Sequence, residues 1–383
     1  MTSYSDRALL PEGFHDTLSP DAESEATVRA RLMARFADYG YERVAPPLME
    51  FEESLLSGGG SKLTRRMFRV MDPATQRMMG IRSDMTIQVA RIAATRLGTE
   101  PRPLRLCYGG EVLRVKGSQM RTAREFGQAG IELIGCASLE ADVEVLLVAG
   151  AALREAGVGV VSIDLTVPML APTLAQELGV GDDEAEALRA ALGNKDIGRL
   201  ESVDGRAGDL FRGLLSAAGP ADEALARLKA LVLPQGAAAI VERLAALVER
   251  LGQVAPEHAL TIDPGEFRGF EYKTGIGFTL FADNVRGELG RGGRYDIERA
   301  DGSPETATGF TVYIDSVLRA LPPAVGADHV YVPFGIDRDA IDRLHREGSR
   351  TVCGLEPEGD ADSEARRLGC SHILDKGAVR ALD

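Results

Sequence analysis

Arg114, Arg121 and Arg124 fall on neighbouring strand or loop positions just ahead of Gln128 and Glu132, while Asp84 and Arg268 supply a further acid and base elsewhere in the chain. Carboxylates bind an ammonium, and an arginine holds a carboxylate through two parallel hydrogen bonds. The set therefore suggests a polar cavity over a sheet that receives both ends of an amino acid. By residue type alone, the same pattern also describes charged strand positions facing solvent. Other chemistries have less to work with. Cys107, Cys136, Cys353 and Cys370 form no CxxC pair, and His15, His258, His329, His345 and His372 are scattered without an HExxH, so free thiols, surface imidazoles and no metal site are expected. SGGGSK at Ser57 to Lys62 lacks the spacing and preceding strand of a phosphate-cradling Walker loop and reads as a plain loop.

The elements that must position these residues are legible in outline. Ser19, Pro20, Asp21 and Glu23 open a helix with Val28, Leu32 and Phe36 on one face, and Gly40 closes it. YERVAPPLMEF then reads as one strand, confined to an edge or an interface because Pro46 and Pro47 cannot donate to a ladder. FRVMDPATQRMMGI predicts a hairpin turning at Asp72-Pro73, followed by a helix from about Asp84 to Arg96. Strands around Leu104 to Tyr108, Glu111 to Val115 and Arg124 to Ile134 predict an antiparallel sheet, covered by a helix from about Leu139 to Ala156. From about Thr173 the composition shifts to Ala, Leu, Glu and Arg, with breaks at Gly193, Gly219-Pro220 and Pro234-Gln235-Gly236. Ile240, Leu244, Leu247 and Leu251 repeat at helical spacing there, as core positions of an inserted helical subdomain. Strands return from Leu260 to Phe281, and Phe310 to Leu321 reads as a strand entering a buried helix. Pro322-Pro323 makes a linker to a small unit of alternating strands and helices. The expected organisation is a core over 1–322, containing an insertion over about 173–255, and a small C-terminal α/β unit over 323–383.

The chain has 383 residues, and its 44 Lys and Arg against 58 Asp and Glu give a net charge of -14. That balance argues against a protein that coats nucleic acid. Lys62 to Arg124 nevertheless carries 14 basic residues against 4 acids, a net +10 that leaves about -24 on the rest, either a solvated face or a surface for an anion or partner. MTSYSDRALLPEGFHD has no signal-peptide pattern, and no stretch approaches the roughly 18 apolar residues of a membrane span. A cytoplasmic protein without a membrane segment is expected.

Two long segments resemble the catalytic core of the histidyl-tRNA synthetases: RLCYGGEVLRVKGSQMRTAREFGQAGIELIG from Arg105, and TIDPGEFRGFEYKTGIGFTLFADNVRGELGRGGRYD from Thr261. YGYERVAPPLMEF is similar to the first motif of class II aminoacyl-tRNA synthetases, which implies a homodimer through the strand at Pro46 and Pro47. IRSDMT resembles the RPEGT stretch, which puts Asp84 and Thr86 where the substrate's α-amino group is received. Gln128 and Glu132 stand where HQLGCEVFG makes amino-acid contacts. FRGFEYKTG and GGRYD resemble the histidine-specific segments RGLDYYTG and GGRYD, which implies roles for Arg268 and Tyr272. The resemblance runs from about Leu10 to Ala320. It implies an α+β fold: an antiparallel sheet of the class II synthetase type flanked by helices, with the helical insertion and the C-terminal unit attached.

The departures bear on activity. Arg114 matches the phosphate-binding arginine of the second motif, but Lys116 stands in place of a glutamate that helps hold adenine. In the third motif, GFTVYIDS stands against GFAMGLER, so Ser316 replaces an arginine that grips ATP, and a hydroxyl cannot do the work of a delocalised cation. Lys273 also interrupts the tyrosine pair. The C-terminal unit is shorter than an anticodon-binding domain. Together these features resemble the regulatory subunits of ATP phosphoribosyltransferase. That resemblance implies a noncatalytic, cofactor-free partner of a short catalytic subunit in the first step of histidine biosynthesis, with histidine as effector and no tRNA bound. Asp84, Thr86, Arg114, Gln128, Glu132, Arg268 and Tyr272 would line the effector site, with Arg121 and Arg124 on its anionic side. The alternatives are an active histidyl-tRNA synthetase, or a relic network that only stabilises the fold.

Overall fold

The structure, a computed structural model, describes residues 9–56, 67–117, 121–267 and 273–382. It divides into two compact units, one of residues 9–16 and 25–322 and the other of 17–24 and 323–382. SGGGSK, Arg268 and Tyr272 lie outside the described residues.

The strands of the larger unit are β1 (Glu42–Arg43), β2 (Met49–Phe51), β3 (Arg69–Met71), β4 (Met78–Ile81), β5 (Leu104–Leu113), β6 (Glu125–Ile134), β7 (Val161–Thr166), β8 (Gly219–Pro220), β9 (Ala259–Ile262), β10 (Lys273–Ala282), β11 (Gly290–Glu298) and β12 (Pro304–Tyr313). Nine of them form one sheet in the order β1-β5-β6-β12-β11-β10-β7-β9-β8. It is antiparallel from β5 through to β7 and gains a parallel pair towards each margin, β1 with β5 and β7 with β9. β2, β4 and β3 make a separate antiparallel sheet.

Strand alternation on β6 separates two cores. Ala129, Ile131 and Leu133 pack with Val145, Leu146 and Val148 of the helix Leu139–Ala156 and with Val28, Leu32 and Phe36 of the helix Asp21–Asp38. Phe126 and Ile134 point the other way, into a second cluster with Leu106, Tyr108, Tyr295 and Tyr313 and with Met85 and Val89 at the helix Thr86–Thr95. Because successive strand side chains alternate faces, Gln128 and Glu132 share that second face.

Two strand expectations are corrected. The proline segment is not one strand: β1 joins the large sheet, β2 joins the small one, and Pro46-Pro47 lies unladdered between them. The proline carbonyls are used by side chains, Pro46 O accepting from Arg82 Nη1 at 2.9 Å and Pro47 O from Gln88 Nε2 at 2.8 Å. Conversely, Leu104–Tyr108 and Glu111–Val115 belong largely to a single strand, with Gly109 and Gly110 paired within it and the strand ending at Leu113. The hairpin β3-β4 turns at Asp72, whose carboxylate accepts from Ala74 N at 3.0 Å and Thr75 Oγ1 at 2.6 Å.

The insertion holds the helices Leu170–Glu177, Asp182–Asn194, Ile197–Glu201, Gly205–Ser216, Ala221–Ala230 and Gln235–Val254. Leu244, Leu247 and Leu251 are buried in its core, with Ile240 half-buried beside them. The break expected at Gly193 falls at the end of the helix Asp182–Asn194, and a Cβ on that glycine would lie 2.2 Å from the Phe267 ring, so close packing also requires it. In the smaller unit, β13 (His329–Val332), β14 (Arg350–Cys353), β15 (His372–Asp375) and β16 (Ala378–Ala381) are ordered β14-β13-β15-β16, the last pair antiparallel. The helices Arg338–Arg346 and Ala361–Arg367 begin at Asp337 and Asp360, whose carboxylates accept backbone N–H groups. β16 was not expected from the sequence. All four cysteines are free, and no described helix is long and apolar enough to cross a membrane.

The helix Leu139–Ala156 is tied to β11 by buried charge. Arg294 meets Asp142 at 2.9 Å and donates to the carbonyls of Cys136 and Ser138. Arg294→Met leaves those carbonyls unmatched and Asp142 to its ion pair with the half-exposed Arg243. It should lower unfolding stability by about 3 kcal/mol, read as a reduced denaturation midpoint; a change under about 0.5 kcal/mol, the level of an ordinary surface substitution, would refute this role.

Candidate functional site

Between β6, β10, β11, β12 and the start of the helix Thr86–Thr95 lies a small cleft, lined by Asp84, Thr86, Glu132, Lys273, Arg291 and Tyr313 together with Gly292, Gly309, Phe310 and Thr311. The glycines create its space. A Cβ on Gly309 would stand 2.1 Å from Glu132 Oε2, and one on Gly292 would stand 2.3 Å from the Phe278 ring. Gly293 has φ +135, a conformation closed to most side chains.

Glu132 is 2% exposed. Its Oε2 accepts from Tyr295 Oη at 2.6 Å and its Oε1 from Tyr108 Oη at 3.2 Å. Tyr108 is also 2.7 Å from Thr311 Oγ1 and 3.2 Å from Thr86 Oγ1. Burial pushes the Glu132 carboxyl up to about 7, against the opposing pull of the Tyr295 hydrogen bond and the Lys273 charge. Lys273, 5% exposed, donates to Gly293 O at 2.9 Å and lies 4.6 Å from the Tyr295 ring centre. Burial pulls its ammonium down to about 8, with Glu132 the strongest opposing influence. Burial also holds the Tyr108 phenol well above its ordinary value, so it remains a donor. Asp84 accepts from Gln128 Nε2 at 3.2 Å and from Thr86 N at 2.9 Å, while Gln128 Oε1 accepts from Met85 N at 3.3 Å. Arg291 is paired with Glu288.

The structure thus brings Asp84, Thr86, Gln128 and Glu132 together. The arginines are arranged differently from the expectation. Arg121 is buried, with its guanidinium 3.9 Å from the Tyr313 ring centre and 4.6 Å from that of Phe126. It meets Asp315 at 3.0 Å and donates to Ser316 Oγ at 2.9 Å. Arg319 donates to the same two groups at 3.1 and 3.0 Å. Arg114 stacks on Phe126 at 4.9 Å. Arg124 donates to the Glu12 and Arg114 carbonyls and stacks on Phe14 and Phe68, anchoring the N-terminal segment. Sequence reasoning did not place Tyr108, Lys273, Arg291, Tyr295 or Thr311 in the site. Tyr108 and Thr311 could have been found from strand parity, since both share the face of Glu132 once β5, β6 and β12 are in register.

This sheet, with a polar cleft on its antiparallel centre, defines a class II synthetase-like protein. The family model for histidyl-tRNA synthetase matches residues 13–317. Across nearly the whole chain it is 53% identical to the ATP phosphoribosyltransferase regulatory subunit of Paramagnetospirillum magneticum (98% of each chain) and 52% identical to that of Rhodospirillum centenum (98% of this chain, 96% of the relative). A crystal structure from Bacillus halodurans described as an ATP phosphoribosyltransferase regulatory subunit/histidyl-tRNA synthetase superposes with a TM-score of 0.80 at 25% identity, covering 94% of this chain and 96% of that one. The chain belongs to the histidyl-tRNA synthetase-like family of ATP phosphoribosyltransferase regulatory subunits.

The buried carboxyl has a thermodynamic signature. With its folded value raised to about 7 and its unfolded value near the ordinary ~4.3, Glu132 binds its proton more readily folded than unfolded. Its contribution to stability is therefore greatest at low pH and falls as pH rises from about 4.3 to about 7. Glu132→Gln should flatten that descent in urea unfolding measured across this window. An unchanged slope would mean that the carboxyl titrates normally.

Proposed function

We propose that this chain is the noncatalytic regulatory subunit of ATP phosphoribosyltransferase, acting with a short catalytic subunit in the first step of histidine biosynthesis and conveying feedback inhibition by histidine bound in the cleft. The observation that carries the noncatalytic reading is the contrast between the two ends of the site. Its amino-acid end is assembled, with Asp84 and Thr86 beside Glu132. At its other end the buried Arg121 is engaged by Asp315 and Ser316, and an arginine already matched by an internal carboxylate offers little to a triphosphate. On this reading ATP is not activated, no aminoacyl group reaches tRNA and no cofactor is needed. The partner assignment is supported by the full-length likeness to proteins bearing that name.

Within the cleft, Asp84, Thr86 and Glu132 would receive the effector's ammonium side, held in place by Gln128, and Arg291 its carboxylate. Arg268 and Tyr272 are proposed to complete the site. Arg121 and Arg124 act instead as internal ties, whereas Arg114, stacked on Phe126, keeps its proposed place in the effector site. A homodimer is proposed through the proline segment, supported by the exposed Leu48 and by Val70, Met71 and Met78 on the small sheet beside it.

The test is phosphoribosyl transfer from phosphoribosyl pyrophosphate to ATP by a short catalytic subunit, with and without this chain, across a histidine titration. Transfer should require the chain and fall as histidine rises, and Glu132→Ala should remove the histidine response while leaving the chain folded. Transfer indifferent to the chain, together with histidine-dependent exchange of pyrophosphate into ATP by the chain alone, would identify an active synthetase instead.

A further inference from the structure

The helix Asp182–Asn194 of the insertion ends against the residues that follow β9, and its last turn is shaped by them. Gly193 is still helical, where the backbone has no need of a glycine, and the Phe267 ring fills the space a Cβ would take. Lys195 then caps the helix at φ +55, a left-handed conformation for which glycine is the usual residue. Its ammonium meets Asp263 at 3.0 Å. The glycine and the lysine thus each stand where the helix alone would favour another residue, and both departures serve the segment 263–267. The Arg189 guanidinium adds a stack 4.6 Å from the Phe267 ring centre. On the sheet side, Asp263 N donates to Leu165 O at 2.9 Å, Gly265 N donates to the Asp263 carboxylate at 2.9 Å, and Thr166 Oγ1 donates to Glu266 O.

The next residue along the chain is Arg268, and β10 opens at Lys273 on the wall of the cleft. Resting on the histidine reading above, we infer that the helix Asp182–Asn194 is a positioning element for the effector: Phe267 and Asp263, held by Gly193, Arg189 and Lys195, set where the chain enters the site. These residues act through the backbone rather than by touching the ligand. A loosened hold lets the segment 263–267 take other positions, and the apparent affinity falls with the fraction of molecules in the competent one. The insertion thereby takes part in effector binding from outside the cleft.

The experiment is calorimetric histidine binding by the full chain and its variants, with urea unfolding of each. Lys195→Gly removes an ion pair in which the lysine is 62% exposed and frees the backbone from a left-handed lysine, so its urea midpoint should stay level or rise. Its histidine affinity should nevertheless fall about threefold, within the range of an exposed ion pair, and Lys195→Arg, which keeps the charge, should bind as wild type does. Gly193→Ala places a methyl 2.2 Å from the Phe267 ring. Alanine favours the helix, so the ring is what moves, and histidine binding should weaken about tenfold, the scale of an overpacked contact. In a Phe267→Ala background, where binding is already weakened, Gly193→Ala should change affinity no further. Variants that bind histidine as tightly as wild type overturn the inference and leave the proposed function standing. So do losses of affinity that appear only with a matching loss of urea midpoint, or a Gly193→Ala effect that persists without the Phe267 ring. Wild-type protein that does not bind histidine overturns the proposed histidine site and the inference with it.

Discussion

A carboxylate held out of water in the middle of a sheet is stable only when donors and a counter-charge come to it, and the construction around Glu132 follows from that requirement. β6 delivers the acid because its even-numbered residues face the second core. β5 and β11 bring Tyr108 and Tyr295 to its two oxygens, and β10 brings Lys273. The register that allows this also forces glycine at 309, opposite Glu132 on β12, where any side chain would occupy the carboxylate's place. Tyrosines from two neighbouring strands thus converge on the one carboxyl that β6 presents. A slip of one residue would turn Glu132 into the apolar core beneath the helix Leu139–Ala156.

The same logic, applied to a cation, shapes the opposite end of the site. Arg121 lies between the faces of Phe126 and Tyr313 and is matched by Asp315 and Ser316. Ser316 supplies a hydroxyl that accepts from both Arg121 and Arg319; on the proposed reading it stands where a synthetase would carry a further positive charge. Binding a polyphosphate here would require breaking a buried ion pair as well as supplying new contacts.

The legibility of these features in the sequence varied with how local their causes are. The helix Leu139–Ala156 and the turn at Asp72 were readable because apolar spacing and an Asp-Pro step act within a few residues. The division of YERVAPPLMEF between two sheets was not, because it depends on Arg82 and Gln88 capturing the proline carbonyls from far along the chain. In the site, Asp84, Thr86, Gln128 and Glu132 could be grouped by motif. Arg121 and Arg124 could be grouped with them only by proximity in sequence, and their guanidinium groups went to Asp315 and to the N-terminal segment, choices set by three-dimensional packing. Lys273 was visible as a departure from a tyrosine pair, but its burial over Tyr295 and against Gly293 O required the β10-β11 register.

A ligand regulates only by binding two conformations unequally, with couplings typically about 1–3 kcal/mol. Most of this cleft is ill suited to supply such a difference, since strands locked by paired charges and close-packed glycines resist small displacements. The turn carrying Asp84 is built otherwise. It is held by hydrogen bonds from Gln128 to Asp84 and from Met85 N to Gln128, and its neighbour Arg82 reaches outward to Glu111 O at 2.7 Å and to Pro46 O. On the proposed reading, an ammonium arriving at Asp84 competes directly with the Gln128 amide for the same carboxylate. The segment whose hydrogen bonds must change on binding is then the one joined, through Arg82 and Gln88, to the proline stretch between the two sheets. A relic pocket needs no such arrangement to stabilise the fold, whereas a sensor needs a ligand-exchangeable bond at a position from which a shift can leave the site.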